Sequence, residues 1–199
     1  MTLRAVFFDL GGVIVRTEYQ APREHLAERL NMTYEDLYRL VFESDTSRKA
    51  SIGAITTEAH WAAVTRRLGY PPSEAKAIRE EFFAGDIIDR SLLDFIGSLR
   101  PRCKTGVISN AWPDMREYMA QNKMDGAFDE LVISAEIGVM KPEPRIYEIA
   151  LERLSVQASE ASLVDDTKAN VEAAHALGMK SILFQNSEQV LFDLQKLLK

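Results

Sequence analysis

The sequence has almost no cysteine, no excess of positive charge and no long apolar run, and each shortage excludes a class of protein. One cysteine, Cys103, has no partner for an internal disulfide and cannot form a zinc site built from several cysteines. The 24 Lys and Arg residues are outnumbered by 30 Asp and Glu residues, which argues against a non-specific nucleic-acid binder. The 199 residues are enough for one domain, or one domain carrying an insertion, with a substantial core.

The apolar segments are too short or too interrupted to cross a membrane. A transmembrane helix needs about 20 consecutive apolar residues. Residues 5–15 come closest, but Asp9 places a charge among them, and Gly11 and Gly12 disfavour a helix there. We therefore expect a soluble protein without a membrane partner, in a reducing and cytoplasmic setting.

Five short β-rich runs predict a parallel sheet. They lie at residues 5–8, 105–108, 131–133, 162–164 and 181–184. Their apolar residues follow one another without polar alternation, which is typical of strands covered on both faces. Helical patterns separate the last four runs, as at residues 144–154 and at residues 167–177 before Gly178. The alternation predicts an α/β fold with a doubly wound, Rossmann-like parallel sheet.

Residues 16–89 interrupt this alternation. Amphipathic helical patterns occur at residues 22–30, 33–43, 56–68 and 73–83, with Thr33, Thr56 and Ser73 as expected N-caps and Gly69 as an expected stop. Joining two strands does not require so much chain. We therefore predict a core of residues 1–15 and 90–199 that carries a helical insertion, residues 16–89, packed as a small bundle.

Polar and acidic side chains follow three of the predicted strands. They are Asp9 after the first run, Ser109 and Asn110 after the second, and Asp165 and Asp166 after the fourth. Ligands of open α/β sheets bind beyond the carboxyl ends of the strands, so these side chains are expected to converge. Converging carboxylates need a cation, and oxygen ligands favour a hard ion such as Mg²⁺. Lys141, in a loop, would add positive charge, and the combination suits an anionic phosphoryl group.

Four segments jointly resemble the motifs of the haloacid dehalogenase (HAD) superfamily of phosphotransferases. They are FFDLGGV at residues 7–13, VISN at residues 107–110, KPEPRIY at residues 141–147 and LVDD at residues 163–166. They occur in the superfamily's order and frame nearly the whole chain. The first, third and fourth are most similar to the branch that holds sugar-phosphate phosphatases and the phosphatase domain of soluble epoxide hydrolases. The helical insertion resembles the superfamily's cap.

The resemblance implies roles in binding and chemistry. Asp9 would be the nucleophile that forms an aspartyl-phosphate. Ser109 and Asn110 would bind the phosphoryl group, and Lys141 would neutralise its charge. The implied activity is a phosphatase acting on a small phosphorylated metabolite, with sugar phosphates among the candidates.

The resemblance also implies a Mg²⁺ site and exposes one departure. Asp9, Asp166 and the carbonyl of Gly11 would hold the ion, with Asp165 as an alternate ligand or as a support for the ligands. Superfamily phosphatases usually carry a second Asp, a general acid and base, at the position of Gly11. Because such catalysis is worth about 10²–10⁴ in rate, either another group such as Glu18 substitutes, the leaving group is a good one, or the activity is weak.

Two other functions and several side chains remain open at this stage. A 2-haloacid dehalogenase would share Asp9 and Lys141 but needs no metal, and the paired carboxylates at 165 and 166 disfavour it. A weakened member of the superfamily would act as a binding protein. Arg16, Thr17 or Glu18 is expected to reach the site, and Trp112 either lines a substrate pocket or packs in a core. The oligomeric state is left undetermined.

Overall fold

A five-stranded parallel sheet forms the centre of the computed structural model, which describes residues 3–198. The strands of the sheet are β1 (Ala5–Phe8), β4 (Lys104–Ser109), β5 (Glu130–Ile133), β6 (Ala161–Asp165) and β7 (Lys180–Leu183). Two further strands, β2 (Val15–Thr17) and β3 (Asp86–Ile88), pair antiparallel outside it. All five predicted runs are strands of the parallel sheet, so the predicted α/β fold is confirmed.

The strand order is β5-β4-β1-β6-β7, which places β1 at the centre. Phe8 at the end of β1 pairs with Val107 of β4 on one side and with Val164 of β6 on the other. Three neighbouring strands therefore end at one edge of the sheet, and the residues that follow them start from nearly the same place.

Helices cover both faces of the sheet, as a doubly wound fold requires. They are α6 (Arg90–Leu99), α7 (Met115–Gln121), α8 (Ser134–Ile137), α9 (Pro144–Leu154), α10 (Lys168–Ala176) and α11 (Ser187–Leu197). Side chains of β1 alternate between two apolar clusters, with Phe8 packed towards α6 and Phe7 packed towards α9. Both rings are fully buried. Burying each contributes about 2–3 kcal/mol relative to an exposed ring, which holds β1 centrally.

The remaining helices form a third apolar cluster of their own. They are α1 (Ala21–Arg29), α2 (Tyr34–Phe42), α3 (Asp45–Ser51), α4 (Thr57–Arg67) and α5 (Ala75–Phe83). Thr33 and Thr56 cap α2 and α4 as predicted. The prediction for Ser73 is wrong, because Ser73 lies in a 3₁₀ turn, Pro72–Glu74, that precedes α5. Helix α3 is absent from the prediction because its polar sequence DTSRKAS has no apolar period.

A short hairpin of β2 and β3 joins these helices to the sheet. Thr17 pairs with Asp86, and Gly85 packs so closely on the carbonyl of Tyr19 that a Cβ would lie 1.8 Å from its oxygen. Asp89, which follows β3, accepts hydrogen bonds from Arg16 and from Ser187 of α11. Asp89 therefore bonds the end of the hairpin both to β2 and to α11, which packs on the sheet.

The helices are shorter or more polar than a membrane-spanning helix. Within residues 3–198, none combines the length and the apolar character that a membrane crossing requires.

Candidate active site

Lys141 is the centre of a buried charge cluster at the carboxyl edge of the sheet. Its Nζ lies 2.6 Å from Asp165 Oδ2 and 2.9 Å from Asp9 Oδ1. Asp9 follows β1 directly, and Asp165 is the last residue of the neighbouring strand β6. The loop between α8 and α9 carries Lys141, whose exposed fraction is only 4%. One lysine thus joins two strand ends, as the predicted convergence requires.

Asp165 is an interior carboxylate with its oxygens occupied. It is fully buried, and one oxygen accepts hydrogen bonds from the Thr167 backbone N–H (2.9 Å) and from Asn170 Nδ2 (3.0 Å). The other oxygen faces Lys141. The Tyr147 hydroxyl adds a further layer by donating to the Asn170 carbonyl at 3.1 Å. These contacts fit a residue that holds Lys141 better than one that ligates a metal directly.

Asp166 differs from its neighbour because its side chain is exposed. No Lys or Arg within residues 3–198 forms an ion pair with it. Burial of part of the group, together with the Asp165 charge, raises the pKa of Asp166. Carboxylate oxygens of Asp9, Asp165 and Asp166 all lie within 4.8 Å of one another. The cluster therefore holds three acidic groups and one nearby lysine.

Asp9 has one engaged and one available oxygen. Oδ1 accepts from Lys141 and from the Leu10 backbone N–H at 2.7 Å. Among the described residues, no hydrogen bond to Oδ2 is present. Burial raises the pKa of Asp9 to about 6, opposed by Lys141 and reinforced by Asp165. A positioned carboxylate with a free oxygen has the geometry of a nucleophile.

Two consecutive glycines shape the turn after Asp9. Gly12 has φ +77°, and a Cβ there would lie 2.1 Å from Asp166 Oδ2, so only glycine lets the turn and Asp166 approach this closely. A Cβ on Gly11 would meet nothing within 4 Å. The turn therefore has space for a side chain at position 11, beside the acidic cluster, and none at position 12.

The structure places Ser109 and Asn110 at the end of β4, next to β1. Ser109 is buried, with 3% of its surface exposed. Asn110 Nδ2 donates to the Lys141 carbonyl (2.8 Å), and the Lys141 N–H donates to Asn110 Oδ1 (2.7 Å). Sequence reasoning missed this clamp, because a contact between residues 31 positions apart leaves no local signal. Direct phosphate binding by Asn110 stays a prediction.

The residues after the first motif do not contact the acidic cluster. Arg16 bonds to Glu18 and Asp89, and Thr17 donates to Asp86. Within residues 3–198, these three side chains make no hydrogen bond to the site carboxylates, so the expectation that one of them reaches the site is not met. Glu18 faces Arg16 at the hairpin, which corrects its suggested role as a substitute acid.

Trp112 and Cys103 both lie in apolar surroundings. Trp112 packs in the cluster of the inserted helices, which is the second of the two expectations for it. Cys103 is a free, buried thiol whose pKa is raised by burial, so it behaves as a packed side chain.

The donor set fits a hard divalent cation. Asp9 Oδ2 and the exposed Asp166 are the carboxylates least occupied by protein contacts, and both are oxygen ligands of the kind Mg²⁺ prefers. Asp165 is the least suited because Lys141, Thr167 and Asn170 engage it. The acidic cluster anticipated from the sequence is present.

Comparison with known proteins identifies relatives along nearly the whole chain. Bifunctional epoxide hydrolase 2 of Rattus norvegicus is 27% identical over 98% of this chain, which spans 39% of that protein's length. The activity of that whole protein is therefore not assigned to this chain. The phosphorylated carbohydrates phosphatase of Thermotoga maritima is 27% identical over 90% of this chain and 84% of its own.

A solved structure shares the fold of this chain, and a family model identifies its family. A HAD family enzyme of Bacteroides thetaiotaomicron, solved in complex with magnesium and inorganic phosphate, superposes with a TM-score of 0.78. The alignment covers 92% of this chain and 94% of the other at 21% identity. The family model for haloacid dehalogenase-like hydrolases matches residues 3–178, and this chain is a hydrolase that belongs to that family.

Proposed function

We propose that this hydrolase is a Mg²⁺-dependent phosphomonoesterase for a small phosphorylated metabolite. The observation that carries the proposal is the charge of the site. Lys141 offsets one of three carboxylates that lie within 4.8 Å of one another. A site meant for an anionic substrate and left with this surplus would be strongly repulsive unless a cation completed it.

The same charge balance disfavours a metal-free dehalogenase. Such an enzyme needs the Asp9–Lys141 pair but has no use for Asp166 beside an anionic substrate. Asp166 and one carboxylate oxygen of Asp9 would hold the ion, with the Gly11 carbonyl as the third proposed ligand. When bound, Mg²⁺ would stabilise negative charge on the transferring phosphoryl group. Relatives described as phosphatases, including the one from Thermotoga maritima, support this choice.

The proposed reaction proceeds in two displacements. The Asp9 carboxylate oxygen that is not a proposed metal ligand attacks phosphorus, the bond to the alcohol oxygen breaks, and an aspartyl-phosphate forms. Water then attacks that phosphorus, which releases inorganic phosphate and restores the Asp9 carboxylate. Lys141 pairs with Asp9 Oδ1 and so holds the carboxylate in a fixed orientation. Ser109, with Asn110 beside it, is proposed to bind the phosphoryl oxygens.

The position of Gly11 bears on the substrate. The leaving oxygen receives no proton from a side chain at this position, and Glu18 is paired with Arg16 elsewhere. Substrates whose oxygen leaves readily without protonation are therefore favoured. Anomeric sugar phosphates, aryl phosphates and acyl phosphates meet that condition.

The division of the chain into a catalytic core and a cap is also part of the proposal. Residues 1–15 and 90–199 would form the catalytic core, and residues 16–89 a helical cap that selects the substrate. The separate apolar cluster of the inserted helices and their hairpin attachment support this division. We also propose a cytoplasmic setting, consistent with the free thiol of Cys103.

A phosphate-release screen with and without Mg²⁺ tests the proposal. The wild type should release phosphate only with Mg²⁺, and Asp9→Asn should abolish turnover while keeping the melting temperature, because the amide matches the carboxylate in shape but is a poor nucleophile. Chloride release from 2-chloropropionate without metal would identify a dehalogenase instead. No turnover of either kind would favour a binding protein.

A further inference from the structure

The loop after β4 contacts the Lys141 loop and α8 with its first half and the inserted helices with its second half. Asn110 exchanges two hydrogen bonds with the backbone of Lys141. Ala111 exchanges two with the hydroxyl of Ser134, at 3.0 and 3.2 Å. Trp112 and Asp114, which follow, contact the inserted helices instead. The residues that hold Lys141 and those that meet the helices are therefore covalent neighbours.

Trp112 inserts into the aromatic cluster of the helices. Its ring centroid lies 4.6 Å from that of His60 and 5.9 Å from those of Phe42 and Trp61. Its indole N–H points to the hydroxyl of Ser47 at 3.4 Å. Trp112 is buried, with an exposed fraction of 8%. Trp112 thus lies within residues 90–199, outside the inserted segment, but its side chain packs in the apolar cluster of the inserted helices.

Asp114 makes the polar contacts of the same junction. Its two oxygens accept from Thr57 Oγ1 of α4 at 2.7 Å and from Arg79 Nη2 of α5 at 2.5 Å. Asp114 also occupies the N-cap position of α7, yet its side chain makes no cap hydrogen bond there. An Asp at this position usually contributes about 1 kcal/mol by capping its own helix. Its carboxylate is used on the inserted helices instead.

Three side chains of the acidic site are buried, whereas that of Asp166 beside them is exposed. Asp9, Lys141 and Ser109 have exposed fractions of 8%, 4% and 3%. The bonds of Asp114 to Thr57 and Arg79 join this loop to two of the inserted helices, so any movement of those helices away from the loop must break them.

We infer that Asp114 is a positioning residue, which couples the docking of the inserted helices to the placement of Lys141 through the loop and Asn110. This inference rests on the proposed function. The lysine would be held against Asp9 most firmly when Asp114 is bonded to both helices. Chemistry would then be fastest while the inserted helices are docked on this loop.

The kinetic test compares Asp114→Asn with a matched surface variant. Glu130→Gln removes a pair with Arg153 whose side chains are 27% and 37% exposed, against 25% and 33% for Asp114 and Arg79. Asp114→Asn should lower kcat about tenfold with little change in KM, and Asp114→Glu should restore part of it. Glu130→Gln should leave kcat unchanged.

A double variant tests the route through Asn110. Asp114 and Asn110 share no hydrogen-bond partner, so independent effects would add. If both act on Lys141, Asn110→Ala combined with Asp114→Asn should lose no more activity than the stronger single variant. Additive losses, or an equal fall in kcat in Glu130→Gln, would overturn the inference.

Acetylation of lysines, followed by mass spectrometry, gives a readout that does not need turnover. Lys141 is buried, whereas the Lys196 side chain is 56% exposed and serves as an internal reference. Asp114→Asn should raise the labelling rate of Lys141 about tenfold relative to Lys196, and Glu130→Gln should not. Unchanged labelling would overturn the coupling. Absence of phosphate release in the wild type would overturn the proposed function, and labelling would still decide the coupling.

Discussion

Lys141 is closer to Asp165 than to Asp9, with Nζ–oxygen distances of 2.6 and 2.9 Å. Asp165 is fully buried and is itself held by Thr167 and Asn170. The Lys141 ammonium group is therefore anchored on the buried Asp165 carboxylate, and it also pairs with Asp9. The adjacent residues Asp165 and Asp166 consequently differ in role: Asp165 supports Lys141, whereas the exposed Asp166 forms no such pair within residues 3–198.

Replacing these two neighbours should separate folding from metal binding. Asp165→Asn breaks a buried ion pair and should lower the free energy of unfolding by about 3–5 kcal/mol. Asp166→Asn changes an exposed group and should cost about 0.5 kcal/mol or less. Urea unfolding without metal measures both. Equal losses would contradict the assignment of Asp165 to the support of Lys141.

Mg²⁺ should stabilise the wild type and not Asp166→Asn. Binding to the folded state alone adds about 2.7 kcal/mol at a hundredfold excess over Kd. Thermal melting over a Mg²⁺ titration, in phosphate-free buffer, measures the shift. Ca²⁺ at the same ionic strength is the control for specificity. A wild type that melts at the same temperature with and without Mg²⁺ would count against the metal site.

Gly11→Asp should flatten the dependence of the rate on the leaving group. The site has space for this side chain, since a Cβ at position 11 meets nothing within 4 Å. In the wild type, kcat/KM should be about 10²–10⁴ higher for aryl phosphates than for alkyl esters such as glycerol phosphate. A series of phosphomonoesters graded by leaving-group pKa measures the slope. A flat series in the wild type would show that another acid serves the reaction.

Gly12→Ala should damage the site where Gly11→Ala does not. At Gly12 the left-handed φ costs about 1–2 kcal/mol for a residue with a Cβ, and that Cβ would collide with Asp166. We expect weaker Mg²⁺ affinity and a lower melting temperature for Gly12→Ala. Gly11→Ala is the matched control and should keep both. Indistinguishable variants would refute the close approach of the turn to Asp166.

His60 should make the protein less stable in mild acid. It is buried in the inserted helices, where its Nδ1 lies 2.9 Å from Thr46 Oγ1, and burial lowers its pKa from 6.5 to about 4. Below pH 6.5 the His60 imidazole binds a proton in the unfolded chain but not in the folded protein. The free energy of unfolding therefore falls as the pH drops from 6.5 towards 4.

The size of this effect can be isolated by a variant without the imidazole. The wild type should lose about 2 kcal/mol more than His60→Gln between about pH 7 and about pH 5. Urea unfolding at several pH values gives the difference, which removes contributions of carboxylates common to both proteins. Parallel stability curves would mean that His60 titrates normally in the folded state.

The acidic site could be predicted from the sequence because its position depends on a few local patterns. Asp9 and Asp165 follow short apolar runs that are typical of buried strands, and parallel strands in register bring their ends together. Lys141 could be placed there only through the resemblance to a known family, since nothing near it in sequence indicates its direction.

The contacts around Asp114 could not be predicted in the same way. An Asp before a helical segment indicates an N-cap, and only the folded chain shows its bonds to Thr57 and Arg79. Helix α3 and the hairpin are likewise set by tertiary contacts, because strands of three residues and a polar helix carry too little periodic signal.

The hairpin of β2 and β3 means that the helical insertion enters and leaves the core through adjacent strands. Thr17 and Asp86 are paired residues, so the 68 residues between them begin and end at neighbouring points. A two-residue turn such as Asn-Gly suffices to close an antiparallel pair of this kind. We therefore expect that residues 18–85 can be replaced by such a turn while β2 and β3 stay paired. A replacement would also have to cover the side chain of Trp112, which packs against the inserted helices.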